Sequence, residues 1–341
     1  MDIETERAMN AVFADRRILV TGGAGFIGSN LADHLLAQGA EVTVLDNFST
    51  GKRENLAQAA KSAGFRLVEG DIRDFEVCME AMRGVDAVVH LAALGSVPRS
   101  IKDPVSSVAV NVSGSVNVFF AAAQSGVGRV IYASSSSVYG DSAELPKVEE
   151  RTGRPLSPYA LTKAVDEAFA DNFHAVYGLN TIGLRFFNVF GRRQDPEGAY
   201  AAVIPKFAAA LLRHERPVIN GDGSYSRDFT YIDNVLLAVT ACLRTSDGAA
   251  LDQVYNVACG ARVSLNELFA ALRRELSEID PVIGGIEPVY GAVRAGDIPH
   301  SLADIGKARR LLGYEPRFTA AEGIALAARW YAEKFGVTPA N

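Results

Sequence analysis

Cysteine is scarce in this chain, and where it occurs it does not cluster. The three, Cys78, Cys242 and Cys259, lie far apart, with no CxxC pair and no neighbouring histidine pattern. That argues against a disulfide framework or a zinc site, so no metal is expected and the three read as small core residues. Long hydrophobic runs are missing too. No apolar stretch approaches the ~18 residues a membrane span needs, and the start, MDIETERAMN, lacks the basic-then-apolar pattern of a signal peptide. The expectation is a cytoplasmic protein. Nor is there a surplus of positive charge: a net charge of -6 repels nucleic acid and leaves small molecules as the expected partners. An anionic ligand must then find arginines placed for it locally. No internal repeat or low-complexity tract interrupts the 341 residues, a length that allows one large core or two unequal ones.

What the chain does have is alternation. From residue 17, RILVTGGAGFIGSNLADHLLAQGAEVTVLDN gives a β-branched apolar run, a Gly-rich turn, an amphipathic helix and a second apolar run, which is one βαβ unit. Further apolar runs follow at FRLVEGD, AVVHLAA, RVIYASS and NTIGLRFFNVFG, separated by helix-like stretches such as VSSVAVNVSGSVNVFFAAAQ. Strands alternating with helices predict an α/β fold, a doubly wound parallel Rossmann sheet. After about residue 190 the texture changes, with more Pro, Gly and Arg between shorter helices. We therefore expect residues 16–190 to form a dinucleotide-binding domain, rejoined by about 228–260. Residues 191–335 mainly form a smaller, interleaved α/β ligand-binding region.

Gly22, Gly25 and Gly28 stand in a GxxGxxG spacing between a strand and a helix. Glycines let the backbone approach a pyrophosphate, and the helix N-terminus offers free N–H groups and a positive dipole. The second strand ends in Asp46-Asn47. An acid there accepts hydrogen bonds from both adenine-ribose hydroxyls and repels a 2'-phosphate, which favours NAD over NADP. Asp71, after the third strand, either faces the adenine or caps the next helix.

In PLSPYALTK, Tyr159 follows Ser157-Pro158, a helix start, and precedes Lys163 by four residues, so both side chains share a helix face. A lysine cation beside a phenol favours the phenolate and suits it to general acid/base work. The bland alternative is a buried tyrosine beside a surface lysine. The run YASSSSVYG changes the balance, because a strand delivers several hydroxyls to the end of the sheet where such folds bind ligands.

Together TGGAGFIG, Asp46-Asn47, HLAA (90–93), Asn111, SSSSVYG, Tyr159 and Lys163, RFFNVFG, SRDFTYI and GDIPHSLADIGKARRLLGY resemble the extended short-chain dehydrogenase/reductase family over about residues 16–335. Within it the chain looks most like the UDP-hexose 4-epimerases, specifically the bacterial enzymes interconverting UDP-N-acetylglucosamine and UDP-N-acetylgalactosamine. The resemblance implies Ser135 as the catalytic hydroxyl, with Tyr159 and Lys163, and Asn111 as a residue that bends its helix and holds the lysine through water. It implies NAD held by Gly22, Gly25, Phe26, Ile27, Gly28, Asp46, Asn47, Ser49, Thr50, Gly51, Asp71, Ile72, Leu91, Ala92, Ala93, Tyr159, Lys163, Phe186, Asn188 and Val189.

For a UDP-sugar it implies Gly95, Ser96, Arg99, Ser135, Ser136, Tyr159, Asn188, Gln194, Ala202, Val203, Ile219, Asn220, Tyr225, Arg227, Arg294, Asp297 and Ser301. Of these, Asn188, Arg227 and Arg294 would hold the diphosphate, a role suited to polar and cationic donors. Ile219-Asn220 and the stretch AYAAVIP (199–205) would surround the uracil. Where related dehydratases and decarboxylases carry carboxylates, this chain has Ser136 and Ser137, which leaves those eliminations without a catalyst. Ser301 replaces a bulky tyrosine of the simpler galactose epimerases and makes room for a 2-acetamido group, or else caps the following helix. A homodimer is expected through the helices near 100–125 and 157–178. The competing readings are a UDP-glucuronate-type 4-epimerase and, from a different class, a non-catalytic NAD-binding regulator.

Overall fold

A computed structural model describes residues 12–198, 201–293 and 298–337. The chain divides into two compact units. One comprises the described residues up to Gly140, Pro155–Arg185 and Ala238–Tyr255; the other comprises Asp141–Arg154, Phe186–Leu237 and the described residues from Asn256 onward. These segments depart from the expected ranges at both crossings. Residues 141–154 and 186–190 belong to the second unit, and the return to the first covers 238–255 rather than 228–260.

The first unit is built on a seven-stranded sheet. Its strands are β1 (Arg17–Thr21), β2 (Glu41–Asp46), β3 (Phe65–Glu69), β4 (Ala87–His90), β5 (Val130–Ser135), β6 (Thr181–Phe186) and the segment Gln253–Val257. The spatial order is Gln253–Val257, β6, β5, β4, β1, β2, β3. β1 pairs in parallel with both β2 and β4, and the order reverses there. This is the doubly wound parallel fold expected from the alternation. The central strands are buried on both faces, which is why they read as continuous apolar runs: Leu19, Val20, Val44, Val88, Val89 and Val130 are all fully buried.

Its helices are α1 (Phe26–Ala37), α2 (Phe75–Ala81), α3 (Val97–Lys102), α4 (Pro104–Val108), α5 (Ser115–Gln124) and α6 (Pro158–Tyr177). Between α4 and α5 the chain makes a π-helical segment, Ala109–Gly114, so residues 104–124 run as one bulged helix. By length and composition that 21-residue helix would be able to cross a membrane, contrary to the sequence expectation. Val118, Phe119, Ala121 and Ala122 on it are nevertheless fully buried in the first unit's core. The Phe119 ring meets Tyr132 edge-on at 5.6 Å and Phe173 at 5.8 Å, locking α5 and α6 to the sheet.

The second unit combines short strand pairs with helices, among them Val203–Leu212 and Leu265–Ser277. Its organiser is Asp228, fully buried, whose carboxylate accepts hydrogen bonds from the backbone N–H groups of Cys259, Gly260 and Ala303. One side chain thereby ties three separate stretches together. Cys78 and Cys242 are buried, as expected of small core residues, whereas Cys259 is half-buried.

Candidate active site

The cofactor end is assembled by the glycine turn. Gly22 has φ +69°, and a Cβ there would lie 2.7 Å from the backbone N of Ala92. At Gly28 a Cβ would lie 2.3 Å from the carbonyl oxygen of Gly22. Any side chain at either place would push strand and helix apart. α1 begins at Gly25 with no side-chain cap, which leaves first-turn N–H groups for an anion. Beside it runs a cleft of about 300 Å³, lined by Gly22, Gly25, Phe26, Ile27, Gly28, Asp46, Asn47, Ser49, Thr50, Asp71, Ile72, Leu91, Ala92 and Ala93. Leu45, Gly70, Leu94, Val110 and Ala133 also line it, and none carried a chemical signature in the sequence. Gly95, expected at the sugar, lines this cleft too. Gly51 packs behind it, where a Cβ would sit 2.8 Å from Ala24.

Asp46 ends β2 almost buried, and its carboxylate accepts from the N–H groups of Ala24 (2.9 Å) and Phe48 (2.8 Å). The acid therefore also fixes the glycine loop, a role the sequence did not announce. The nearby Arg53 pairs with Glu69 at 2.6 Å and stacks over Phe48. Asp71 does not cap α2; that cap is Asp74, which accepts from Glu76 and Val77. Asp71 instead accepts from Asn47 (2.7 Å) and from Arg73, whose guanidinium holds its carboxyl down at about 2. These residues fit NAD: a cradle only glycine permits, an uncapped helix terminus and an acid at the ribose position.

The candidate acid/base group, Tyr159, stands on α6. Ser157 caps it by accepting from Ala160, and Pro158 occupies the first turn. The Tyr159 N–H donates to Ser100 Oγ at 3.0 Å. Four residues on, Lys163 is buried and its Nζ donates to Asp166 at 3.0 Å. Burial opposes the ammonium charge, but Asp166 and then Tyr159 outweigh it and raise Lys163 above the ordinary lysine range. Asp166 was not singled out by the sequence reading. The signal available was its spacing, since positions 159, 163 and 166 share one helical face.

Ser135 closes β5, where its Oγ accepts from the Ser137 N–H (3.1 Å). The strand end is braced from below: Ser134 donates to Glu167, and Arg185 makes a two-pronged pair with Glu167 at 2.8 and 2.9 Å while donating to Tyr139. Asn111 is fully buried in the π-helical segment. It accepts from Leu94 N–H at 2.7 Å and donates to Thr162 on α6 at 3.2 Å, joining the cleft wall to the Tyr-Lys helix. Behind it His90 bridges Thr21 Oγ1 (2.6 Å) and Ser115 Oγ (3.0 Å). Ser115 donates to the Asn111 carbonyl, so His90 carries its proton on Nε2 and accepts at Nδ1 from Thr21.

The second unit has its own cavity, about 440 Å³, lined among others by Asn188, Val203, Asn220, Tyr225 and Arg227. Lys206 and Arg216 add positive charge that the sequence reading missed; Lys206 lies one turn beyond Val203 on the same helix. Several expectations change. Ile219 is fully buried, so the wall is made by Val218 and Asn220 instead. Ala202 is the N-cap of helix Val203–Leu212, and the Gln194 amide donates to Val189. Of the residues expected at the cofactor, Phe186 ends β6 where the first unit gives way to the second, and Asn188 and Val189 belong to the second unit. Ser96 caps α3 by accepting from Arg99 N–H. Ser301 caps nothing, because the next helix begins at Gly306 with Ile305 as its cap. Ala199, Tyr200, Arg294 and Asp297 lie outside the described residues.

When bound, NAD supplies the acceptor and donor of a hydride. The candidates for the proton steps are this chain's own Tyr159 and Lys163, on one face of α6, and the Ser135 hydroxyl at the strand end.

Residues 18–258 match the family model described as NAD dependent epimerase/dehydratase family. A UDP-glucose 4-epimerase of Mycolicibacterium smegmatis is 39% identical over 320 residues, 93% of this chain and 99% of that one. The structure resembles a UDP-N-acetylglucosamine 4-epimerase from Methanobrevibacter ruminantium M1 in complex with UDP-N-acetylmuramic acid. The TM-score is 0.88 at 37% identity, covering 94% of this chain and 100% of that one. It also resembles a UDP-glucuronic acid 4-epimerase from Bacillus cereus in complex with UDP-glucuronic acid and NAD. There the TM-score is 0.84 at 28% identity, covering 93% and 99%. A glycine cradle that fits a dinucleotide, a Tyr-Lys pair on one face of α6 and a match running the length of the chain lead to one conclusion: this chain belongs to the NAD dependent epimerase/dehydratase family, with NAD as its cofactor.

Proposed function

We propose that this chain is an NAD-dependent UDP-sugar 4-epimerase that interconverts UDP-N-acetylglucosamine and UDP-N-acetylgalactosamine, with UDP-glucose and UDP-galactose as further substrates. Tyr159 takes the proton of the sugar 4-hydroxyl and later returns it, and Lys163 favours the phenolate. The second unit grips the nucleotide through Arg227, Lys206 and Asn188, while the 4-keto sugar stays free to present its other face. No carboxylate stands at Ser136 or Ser137 to divert that intermediate into elimination.

The observation that carries the choice of sugar is the placing of Ser301. Its N–H donates to the Ser226 carbonyl at 3.1 Å, the Ser226 N–H donates to Pro299, and Arg227 donates to the same Pro299 carbonyl. Residues 299–301 are thus laced to the strand that carries Arg227, a lining residue of the nucleotide cavity. The serine at the end of that lacing stands where the simpler galactose epimerases carry a bulky tyrosine, and the difference in size supports an acetamido group as the occupant. Ser301→Tyr should lower kcat/KM for the two acetylated sugars by about 10²-fold, the scale of a small misplacement at a reacting centre. UDP-glucose should be affected much less. Equal losses on both sugar types would remove Ser301 as the determinant and with it this choice of substrate.

The chain works in the cytoplasm as a homodimer; recovery in a secreted or membrane fraction would contradict the first of these. The dimer is supported by apolar side chains left exposed along α3–α6, among them Ile101 (64%), Val105 (78%), Leu161 (55%) and Val176 (61%).

A further inference from the structure

Lys163 has two neighbours on its own helix face: Tyr159 one turn before it and Asp166 one turn after it. Its ammonium is 3.0 Å from Asp166 Oδ2, with the lysine side chain 3% exposed and the aspartate 2%. Ser115 on α5 also supports the Asp166 carboxylate. A buried lysine that only had to support Tyr159 would need no anion behind it, and burying a second charge is costly unless it is paired.

We propose that Asp166 is a positioning residue for the proton transfer: it acts through Lys163, anchoring the ammonium and offsetting part of its charge, and so sets the pH at which Tyr159 becomes a usable base. The surroundings make this pair the dominant local charge. From α6 itself Glu167 also faces it, but Arg185 neutralises that carboxylate in a two-pronged pair. β4 presents His90, which is neutral because burial and then the Lys163 charge hold it down at about 3. β5 presents Tyr132, whose burial keeps it protonated, and Tyr139 follows with its hydroxyl on Arg185. α5 presents the uncharged Ser115, and α3 carries Arg99 and Lys102. Burial by itself raises the Asp166 carboxyl, but Lys163 within hydrogen-bonding distance opposes that, and an ion pair is the state that satisfies both groups.

Removing the anion therefore leaves Lys163 fully uncompensated beside the phenol. Tyr159 and Asp166 are seven residues apart, about 10 Å along a helix axis. At an effective dielectric constant of about 20, one charge at that distance is worth about one pH unit.

The inference rests on Tyr159 as the acid/base, so its test begins with a readout that needs no substrate. Tyrosinate absorbance is titrated in the cofactor-free protein, with and without Tyr159→Phe, and the difference isolates Tyr159. Asp166→Asn, which keeps an oxygen for Lys163 but not the charge, should move that titration to lower pH by about one unit. The acid limb of kcat on UDP-N-acetylglucosamine or UDP-glucose, whichever turns over faster, should move with it. Asp166→Glu should restore both. If Asp166→Asn does not fold, Asp166→Ser loses the same charge and has to show the same displacement. Titrations that superimpose in the neutral variant would overturn the proposal, as would Asp166→Glu moving as far as Asp166→Asn. A titration that moves in protein inactive on both sugars would uphold the proposal and count against the epimerase reading alone.

Discussion

At the scale of single residues, legibility followed chemistry. The glycine turn was readable because only glycine fits the close approaches at Gly22 and Gly28, and the shared face of Tyr159 and Lys163 because their spacing is helical. What the sequence hid were residues whose partners are distant in the chain: Asp46 bonding Ala24, Glu167 meeting Arg185, and Asn111 reaching Leu94. His90 is of this kind. It was noticed only as part of HLAA, yet it is the hub of a buried chain running from Thr21 to Asn111. Burial and then Lys163 hold it down at about 3, against 6.5 for an ordinary histidine. Because its folded value is depressed, the unfolded chain binds the extra proton first, and stability present above about pH 6.5 is lost as pH falls toward 3. This group alone should cost about 1.4 kcal/mol per pH unit in that window. Urea unfolding at several pH values should show a shallower pH slope for His90→Asn than for the parent. Parallel slopes would mean that His90 is protonated without cost.

At the scale of elements, the strands were legible because both faces are buried and the runs are apolar throughout. Helix ends were less so: Asp71 and Asp74 are equally good caps on paper, and only the chain path selects Asp74. The π-helical segment 109–114 had no local signature beyond Asn111, whose side chain bonds to Leu94 and Thr162, partners distant in the chain. The outer face of α3–α6 shows the reverse, apolar residues that the fold leaves uncovered. If two copies pair there, Val105→Glu should give a monomer in sedimentation equilibrium while the parent is a dimer. A parent that is monomeric at micromolar concentration would refute the pairing, as would a dimer unaffected by the glutamate.

At the scale of the whole molecule, the α/β class followed from alternation, and the loop-rich texture after residue 190 announced a second unit. An interleaved return near 228–260 was expected as well, but neither its bounds nor the departure of 141–154 was. Segment Gln253–Val257 joins the sheet edge beside β6 from 67 residues away in sequence, and residues 141–154 leave the first unit, and neither shows in local composition. Function at this scale is the proposed epimerisation. The most direct measurement is to incubate the purified chain with NAD and, separately, UDP-N-acetylglucosamine, UDP-glucose and UDP-glucuronic acid, then separate the products, with Tyr159→Phe run in parallel. The account predicts that UDP-N-acetylglucosamine yields its 4-epimer fastest and that Tyr159→Phe slows this by about 10²–10⁴-fold. Epimerisation of UDP-glucuronic acid alone, no epimer from any of the three, or undiminished turnover by Tyr159→Phe would contradict it.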